Sequence, residues 1–420
     1  MEISEKQRMR RALLAASAGN VVEWYDWSVY ATFAIFFSSQ FFPSDDPLAG
    51  LLSTFAVFSL GFIARPLGSV TLGRITDKLG RTTALTVTVS IVALASALIG
   101  LAPTSAQIGL WAAVWLVVMR LAQGLALGAE TSAALTFLAE SATTQRRGLF
   151  VSVYISTVTL GTLFGSIFGL VLTNMLTSEQ MSSFGWRIPF LFGGVLGFAA
   201  LIIRRQAVET LSKDHVPDPH PVRTLWSKHK RLVVETVLLG AAVSLPFFVL
   251  VTSFPSIVSL LGANSQAAFG ANMAGLFTLG LLTLFFGGLT DKIGRRPVLL
   301  MGSVGFLVLT IPGALLLWDA TQDWRVYLAA ILLSVPLAAL SGSVQASLLD
   351  RYPVALRGSA FGLVWALTMA VFGGTGPMIA TFLALEGLTA LMAVYFMAAF
   401  AVAAVVSFRM KETAFQPLPV

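Results

Sequence analysis

Long apolar runs broken by short charged loops dominate the chain. Stretches such as Ala84 to Leu101, Leu299 to Trp318 and Gly387 to Phe408 run about 20 residues, enough for a helix to cross a hydrocarbon core of about 30 Å. Only helices and closed barrels satisfy their backbone in lipid, and continuous apolar runs of this length choose helices over alternating strands. Hydropathy and loop charge together predict twelve spans, at about 12–38, 48–73, 83–102, 108–138, 148–176, 187–205, 232–258, 267–288, 298–318, 325–349, 358–383 and 387–409. The longest polar stretch, Arg204 to Arg231, is rich in Lys, Arg, His and Pro and divides the spans six and six. It predicts an N-terminal half over 1–205, a linker at 206–231 and a C-terminal half over 232–420.

An internal repeat supports that division. Gly73-Arg74-Ile75-Thr76-Asp77-Lys78-Leu79-Gly80-Arg81 follows the second span, and Gly287-Gly288-Leu289-Thr290-Asp291-Lys292-Ile293-Gly294-Arg295-Arg296 follows the eighth. A second echo follows the fourth and tenth spans, where Glu140 leads to Arg147-Gly148 and Asp350 leads to Arg357-Gly358. Two signals recurring at nearly the same offset imply an all-α membrane protein of twelve helices in two pseudo-symmetric six-helix halves. A site near the midplane, between the halves, goes with that architecture.

Composition agrees with lipid as the solvent. Charged residues are 11% of the chain and the mean hydropathy is +0.83, whereas soluble domains carry about 25% charged residues. The formal net charge of +7 points to no nucleic-acid partner, because the basic residues fall between every second pair of spans. That is the positive-inside pattern with both termini in the cytoplasm, and the N-terminal apolar run reads as a retained first span. No cysteine is present, which excludes thiolate metal sites and cysteine nucleophiles. His215, His220 and His229 all fall in the central loop, and no nucleotide loop, metal-ligand spacing or Ser-His-Asp set is found. An enzyme is not expected, nor a metal or organic cofactor.

Charge inside the spans is expensive and therefore informative. The first half holds Glu23, Asp26, Arg65, Arg120 and Glu130, whereas no Asp, Glu, Lys, Arg or His occurs between Thr236 and Thr290 or between Ser359 and Leu385. At 100° per residue, Asn20, Glu23, Asp26, Trp27 and Tyr30 fall within an arc of about 120° and can line one face of a cavity. Two carboxylates three residues apart repel when both are ionised, which suits one of them to carry a proton. Structural pairing of Glu23 and Asp26 with Arg65 or Arg120 is the competing reading. Arg120, Gln123, Leu127 and Glu130 share a face of the fourth span, and Gly124 with Gly128 forms a small-residue patch for close packing. Arg120 can meet a substrate carboxylate or balance a carboxylate of the first span; Arg65, nearer a span end, can snorkel or bind. Trp111, Trp186 and Trp324 are expected in the interfacial belt. In the repeated loops, Gly80 and Gly294 fit a tight turn, and Asp77 and Asp291 can accept from an arginine or a helix N-terminus. These loops resemble the signature of the major facilitator superfamily, which implies a gating role for Gly73, Asp77, Arg81, Gly287, Asp291 and Arg295.

The resemblance narrows at Gly19-Asn20-Val21-Val22-Glu23-Trp24-Tyr25-Asp26-Trp27, Ala64-Arg65-Pro66-Leu67-Gly68, Arg120-Leu121-Ala122-Gln123-Gly124 and Gly185-Trp186-Arg187-Ile188-Pro189-Phe190. Together these are similar to the metabolite:proton symporter family, whose members include permeases for 2-oxoglutarate, citrate, shikimate and proline/betaine. The resemblance implies proton-coupled uptake in a bacterial inner membrane, with Glu23, Asp26, Arg65, Arg120 and Arg187 carried over. The chain departs from the family pattern at Gly128-Ala129-Glu130-Thr131 and at Leu349-Asp350-Arg351-Tyr352-Pro353. The leading expectation is symport of a small organic acid with protons by a monomeric chain in the bilayer. A zwitterionic osmolyte such as proline or betaine is the alternative. A drug/proton antiporter is disfavoured, because Gly161, Gly165 and Gly169 in the fifth span carry no accompanying proline.

Overall fold

The computed structural model describes residues 5–419 apart from 80, 129–134, 137, 140–141, 205–220 and 358; side chains at 5–18, 47–48, 69–85, 203–204, 221–223, 355, 359 and 389 are also outside the description. Among the described residues all regular structure is helical, and twelve rods dominate it. They are α1 (Glu5–Phe41), α2 (Pro47–Leu79), α3 (Arg81–Gly100), α4 (Trp111–Leu127), α5 (Arg147–Met175), α6 (Arg187–Arg204), α7 (Lys230–Phe247), α8 (Ser265–Ile293), α9 (Arg295–Leu317), α10 (Asp323–Leu349), α11 (Ser359–Thr368) and α12 (Thr389–Arg409). A π-helical turn, Phe248–Thr252, and the helix Phe254–Leu260 prolong α7; a second π-helical turn, Met369–Gly373, and Gly374–Leu385 prolong α11. Eight described helices are long and apolar enough to cross a membrane. A bent pair, Ser178–Gly185 with Arg187–Ile202, gives a ninth, while Thr86–Gly100 and Trp111–Leu127 are apolar but shorter.

The order of elements follows the hydropathy reading, and the differences lie at the ends. Spans predicted to stop at 73 and 288 continue to Leu79 and Ile293, so most of each repeated motif is helix, not loop. At the second copy the turn reduces to Gly294, whose φ of +105° is left-handed space that suits glycine. The fourth span, expected over 108–138, is described as a helix from Trp111 to Leu127 and again as helical at 135–136 and 138–139, with 129–134 and 137 outside the description. The polar linker contains a short helix, Pro221–Lys228.

α8 packs on α5 and α10, α1 on α5, α2 on α4, α3 on α6, and α9 on α10 and α12. Contacts of α5 with α8, and of α2 with the Gly374–Leu385 helix, join the two six-helix halves. Aromatic side chains fill the interior around α1: Trp27, Tyr30, Phe33, Phe37, Phe55, Phe58 and Phe62 have no measurable exposure. Trp111 and Trp324 are exposed, as belt residues should be. Trp186 is not a belt residue: it is buried against Phe37, Phe41 and Phe190, because the turn before α6 folds inward over the end of α1.

Candidate substrate and proton site

The close crossing of α2 and α4 places the charges. A side chain at Gly124 would collide with the backbone oxygen of Gly61, so two glycines let the helices touch. Arg65 lies one turn beyond Gly61 and Arg120 one turn before Gly124, and both guanidinium groups therefore reach the same stretch of α1. The Arg65 guanidinium carbon stands 4.7 Å from the Trp27 ring centre and 4.6 Å from that of Phe62. That of Arg120 stands 5.0 Å from Trp27 and 3.8 Å from Tyr30. Trp27 thus holds two cations by its ring electrons within ten ångströms of each other, an attraction that gains strength away from water.

Each arginine also meets one carboxylate of α1. Arg65 Nη2 donates to Glu23 Oε1 at 2.9 Å. Arg120 Nη1 donates to Asp26 Oδ2 at 3.1 Å and to Gln123 Oε1 at 2.8 Å, and Gln123 Nε2 donates to the same Asp26 oxygen at 2.8 Å. All five side chains are buried. Two cations and two anions leave the cluster neutral, which lowers the cost of holding it in a low-dielectric interior. The pairing is incomplete on one side. Nε and Nη2 of Arg120 have no acceptor among the described residues, nor has Nε of Arg65. On Arg120 these two atoms form the guanidinium edge that gives parallel bonds to one carboxylate.

The other expected site residues divide between neighbours and outliers. Tyr30 lies under Arg120 and donates its hydroxyl to the Thr54 carbonyl at 3.0 Å. Asn20 bridges α1 to α5, donating to Thr157 Oγ1 at 2.8 Å and the Tyr154 carbonyl at 3.3 Å. Arg187 stands apart from this set: it donates to the carbonyls of Gly100 at 3.0 Å and Ala102 at 2.7 Å and stacks on Trp186, a cation at the C-terminus of α3. Glu130 and the side chains of Gly73, Asp77 and Arg81 lie outside the described residues. From the second half, Phe248 in the α7 π-turn meets Phe62 at 4.8 Å and Trp24 at 5.7 Å, closing the cluster with aromatic rings and no charge. Nothing in the sequence marks Phe248, since one phenylalanine in an apolar span is unremarkable, whereas Trp27 already stood on the polar arc of α1.

At the end of the bundle that carries the basic loops, the second repeat copy makes a clasp between the halves. Asp291 accepts from the Gly148 and Leu149 backbone N–H groups at 2.8 and 2.9 Å, at the N-terminus of α5, and from Arg295 Nη1 at 2.8 Å. Asp350 accepts from Arg147 Nη1 at 2.6 Å and Arg295 Nε at 3.0 Å. Gly287 and Gly148 let α8 and α5 meet there, because a side chain on Gly148 would collide with Thr290, Arg295 and the Gly287 carbonyl. Glu412, just past α12, accepts from the backbone N–H groups of Arg295 and Arg296 at 2.9 and 3.0 Å and from Thr413 and Ala414, both at 2.9 Å. Burial opposes its ionisation, but the four donors prevail and hold the carboxyl below the ordinary glutamate range. Arg147 and Asp350 stood in the sequence echo, whereas Glu412 carried no signal.

A buried neutral cluster of two guanidinium groups and two carboxylates, in a helical bundle clasped by its second repeated loop, suits a transporter's interior. The profile of the Major Facilitator Superfamily matches residues 16–365. The chain belongs to the major facilitator superfamily. It is 32% identical over 383 residues to the alpha-ketoglutarate permease of Escherichia coli (strain K12), covering 90% of this chain and 88% of that one. It is 30% identical over 441 residues to the proline/betaine transporter of Salmonella typhimurium (strain LT2), covering 99% of this chain and 86% of that one. In three dimensions it matches the D-xylose-proton symporter with a TM-score of 0.75 at 16% identity, over 97% of this chain and 98% of that one, a likeness of fold. As a superfamily member the chain is a multi-pass membrane transporter and not an enzyme.

Proposed function

We propose that the chain is a proton-coupled symporter that imports a small organic acid by alternating access, with Glu23, Asp26, Arg65 and Arg120 as its working groups. One observation carries the reading: the Nε–Nη2 edge of Arg120 is buried without an acceptor among the described residues, beside a carboxylate that already neutralises the rest of the group. A substrate carboxylate fits that edge. Protonation of Asp26 weakens its hold on Arg120 and leaves the cluster one positive charge in excess, and an entering monoanion restores neutrality. Glu23 and Arg65 offer the same exchange for a second carboxylate. A neutral filled site can be carried past apolar walls, and a charged one is held back by desolvation. Filling and closure therefore become linked, as coupling requires.

The basic loops support a reading with the clasped end and both termini in the cytoplasm and the chain acting as a monomer in a bacterial inner membrane. In this orientation the clasp of Asp291, Asp350, Arg147 and Arg295 blocks the inner exit, and the two halves rock apart when it breaks. The relative named as an alpha-ketoglutarate permease supports a carboxylate as cargo. A second reading, a zwitterionic osmolyte, rests on the relative named as a proline/betaine transporter and on Glu23 and Trp24 as partners for a substrate cation. Against it, the Trp27 face that would receive a cation already holds Arg65 and Arg120.

Uptake into proteoliposomes under an imposed inward proton gradient tests the reading, with labelled 2-oxo acids, dicarboxylates, aromatic acids, proline and betaine, with and without protonophore. Protonophore-sensitive accumulation of an acid is expected. Accumulation of proline or betaine alone would move the assignment to the osmolyte, and gradient-independent uptake of every compound would end the symport reading.

A further inference from the structure

A cleft of about 250 Å³ opens at the basic end, away from the charge cluster, lined by Lys228, His229, Lys230, Arg231, Leu232 and Arg351. Its cations come from the linker helix, the first turn of α7 and the segment after α10. The buried carboxylate of Glu235 organises two of them from below: Arg231 Nε meets its Oε1 at 2.8 Å, and Arg351 meets its Oε2. Arg231 is further fixed by its Nη2 donating to the Arg409 carbonyl at 3.1 Å, where α12 ends. The side chains of Lys228 and Lys230 have no acceptor among the described residues. Four cations against one carboxylate leave this concavity strongly positive. A topological bias toward basic loops explains charge on this face, but not the convergence of Arg231 and Arg351, 120 residues apart in sequence, on one tethering glutamate.

The surroundings of the cleft are those of a membrane boundary. Trp226, two residues before Lys228, is 60% exposed, and Val234, one turn along α7 from Lys230, is 51% exposed. An indole and an aliphatic side chain flanking a basic hollow suit a ligand with an anionic head and an apolar tail. We propose that this cleft binds the phosphodiester head of an anionic phospholipid, with the acyl chains lying along α7 past Val234. Phosphate is the shared chemistry of a lipid head and a free anion, and the apolar flank favours the lipid. The Lys228 and Lys230 ammonium groups meet the phosphate oxygens, while Arg231 and Arg351, held by Glu235, shape the floor.

The test is native mass spectrometry of the delipidated full-length protein titrated with dioleoyl-phosphatidylglycerol, dioleoyl-phosphatidylcholine and inorganic phosphate. Phosphatidylglycerol should bind at least about fivefold more tightly than phosphatidylcholine, and millimolar phosphate should not displace it. The exposed double variant Lys228→Gln/Lys230→Gln should weaken phosphatidylglycerol binding about tenfold. Lys292→Gln/Lys411→Gln removes the same charge from exposed positions outside the cleft and should leave that binding unchanged. Equal weakening by both double variants, equal binding of both lipids, or displacement by millimolar phosphate would each overturn the proposal. Uptake is not the readout, so failure here leaves the symport reading standing and the reverse also holds.

Discussion

Arg120 has no solvent-exposed surface, and its Nη1 is shared between Asp26 and Gln123. Removing it strands a buried carboxylate, so Arg120→Ala should lower stability by about 3 to 5 kcal/mol, measured by thermal unfolding in detergent. Replacing both partners, Asp26→Asn with Arg120→Gln, should recover most of that loss and no uptake. A double variant as unstable as the single one would mean that packing, not stranded charge, sets the cost. The single change Asp26→Asn keeps the size and the Gln123 contact but cannot gain or lose a proton. It should abolish concentrative uptake in proteoliposomes and retain substrate exchange; full gradient-driven accumulation would remove Asp26 from the coupling role. These residues were legible in the sequence because charge in an apolar span has few tolerable explanations. Their pairing was not, since the choice of partner depends on how closely α2 and α4 approach.

At the scale of elements, α9 begins without a side-chain cap of its own, and the Glu412 carboxylate covers its first N–H groups from beyond α12. Gly294 fits this seat twice over, by its positive φ and because a side chain there would press on the Glu412 carboxylate. Glu412→Gln should cost about 1 kcal/mol of stability at neutral pH, the usual worth of a helix cap. The folded carboxyl sits below its unfolded value, so its contribution is complete above the unfolded glutamate range, near pH 4.3, and fades as pH falls through the lower folded value. The difference in unfolding temperature between the parent and Glu412→Gln should therefore be flat from about pH 6 to 8 and shrink only in strong acid. A difference that changes between pH 6 and 8 would assign the titration to another group. Hydropathy located the rods well, because twenty apolar residues in lipid have one solution. It misplaced the ends of α2 and α8, where polar residues continue the helix; at α8, Asp291 makes contacts that only the folded bundle supplies. The π-helical turns after α7 and α11 were likewise invisible, since apolar sequence is the same on either side of them.

For the whole molecule, the clasp and the charge cluster should act on one equilibrium between closed and open inner ends. The chain has no cysteine, so a single introduced thiol reports cleanly. Ser156 joins α5 to α8, donating to the Gly280 carbonyl at 3.3 Å, behind the clasp. In a Ser156→Cys background, Asp291→Asn should raise the rate of maleimide labelling by about tenfold, because it weakens two backbone hydrogen bonds and an ion pair to one carboxylate. An unchanged rate would mean that the clasp does not hold the inner end shut. The two-half plan was readable from the duplicated loops, whereas the central claim, that substrate anion and proton enter the same neutral cluster together, needs its own measurement. Purified protein in weakly buffered detergent solution should take up protons when the accumulated acid is added, in proportion to the acid bound, with the response lost in Asp26→Asn. Saturable binding of the acid with no proton taken up by the parent protein would contradict the account.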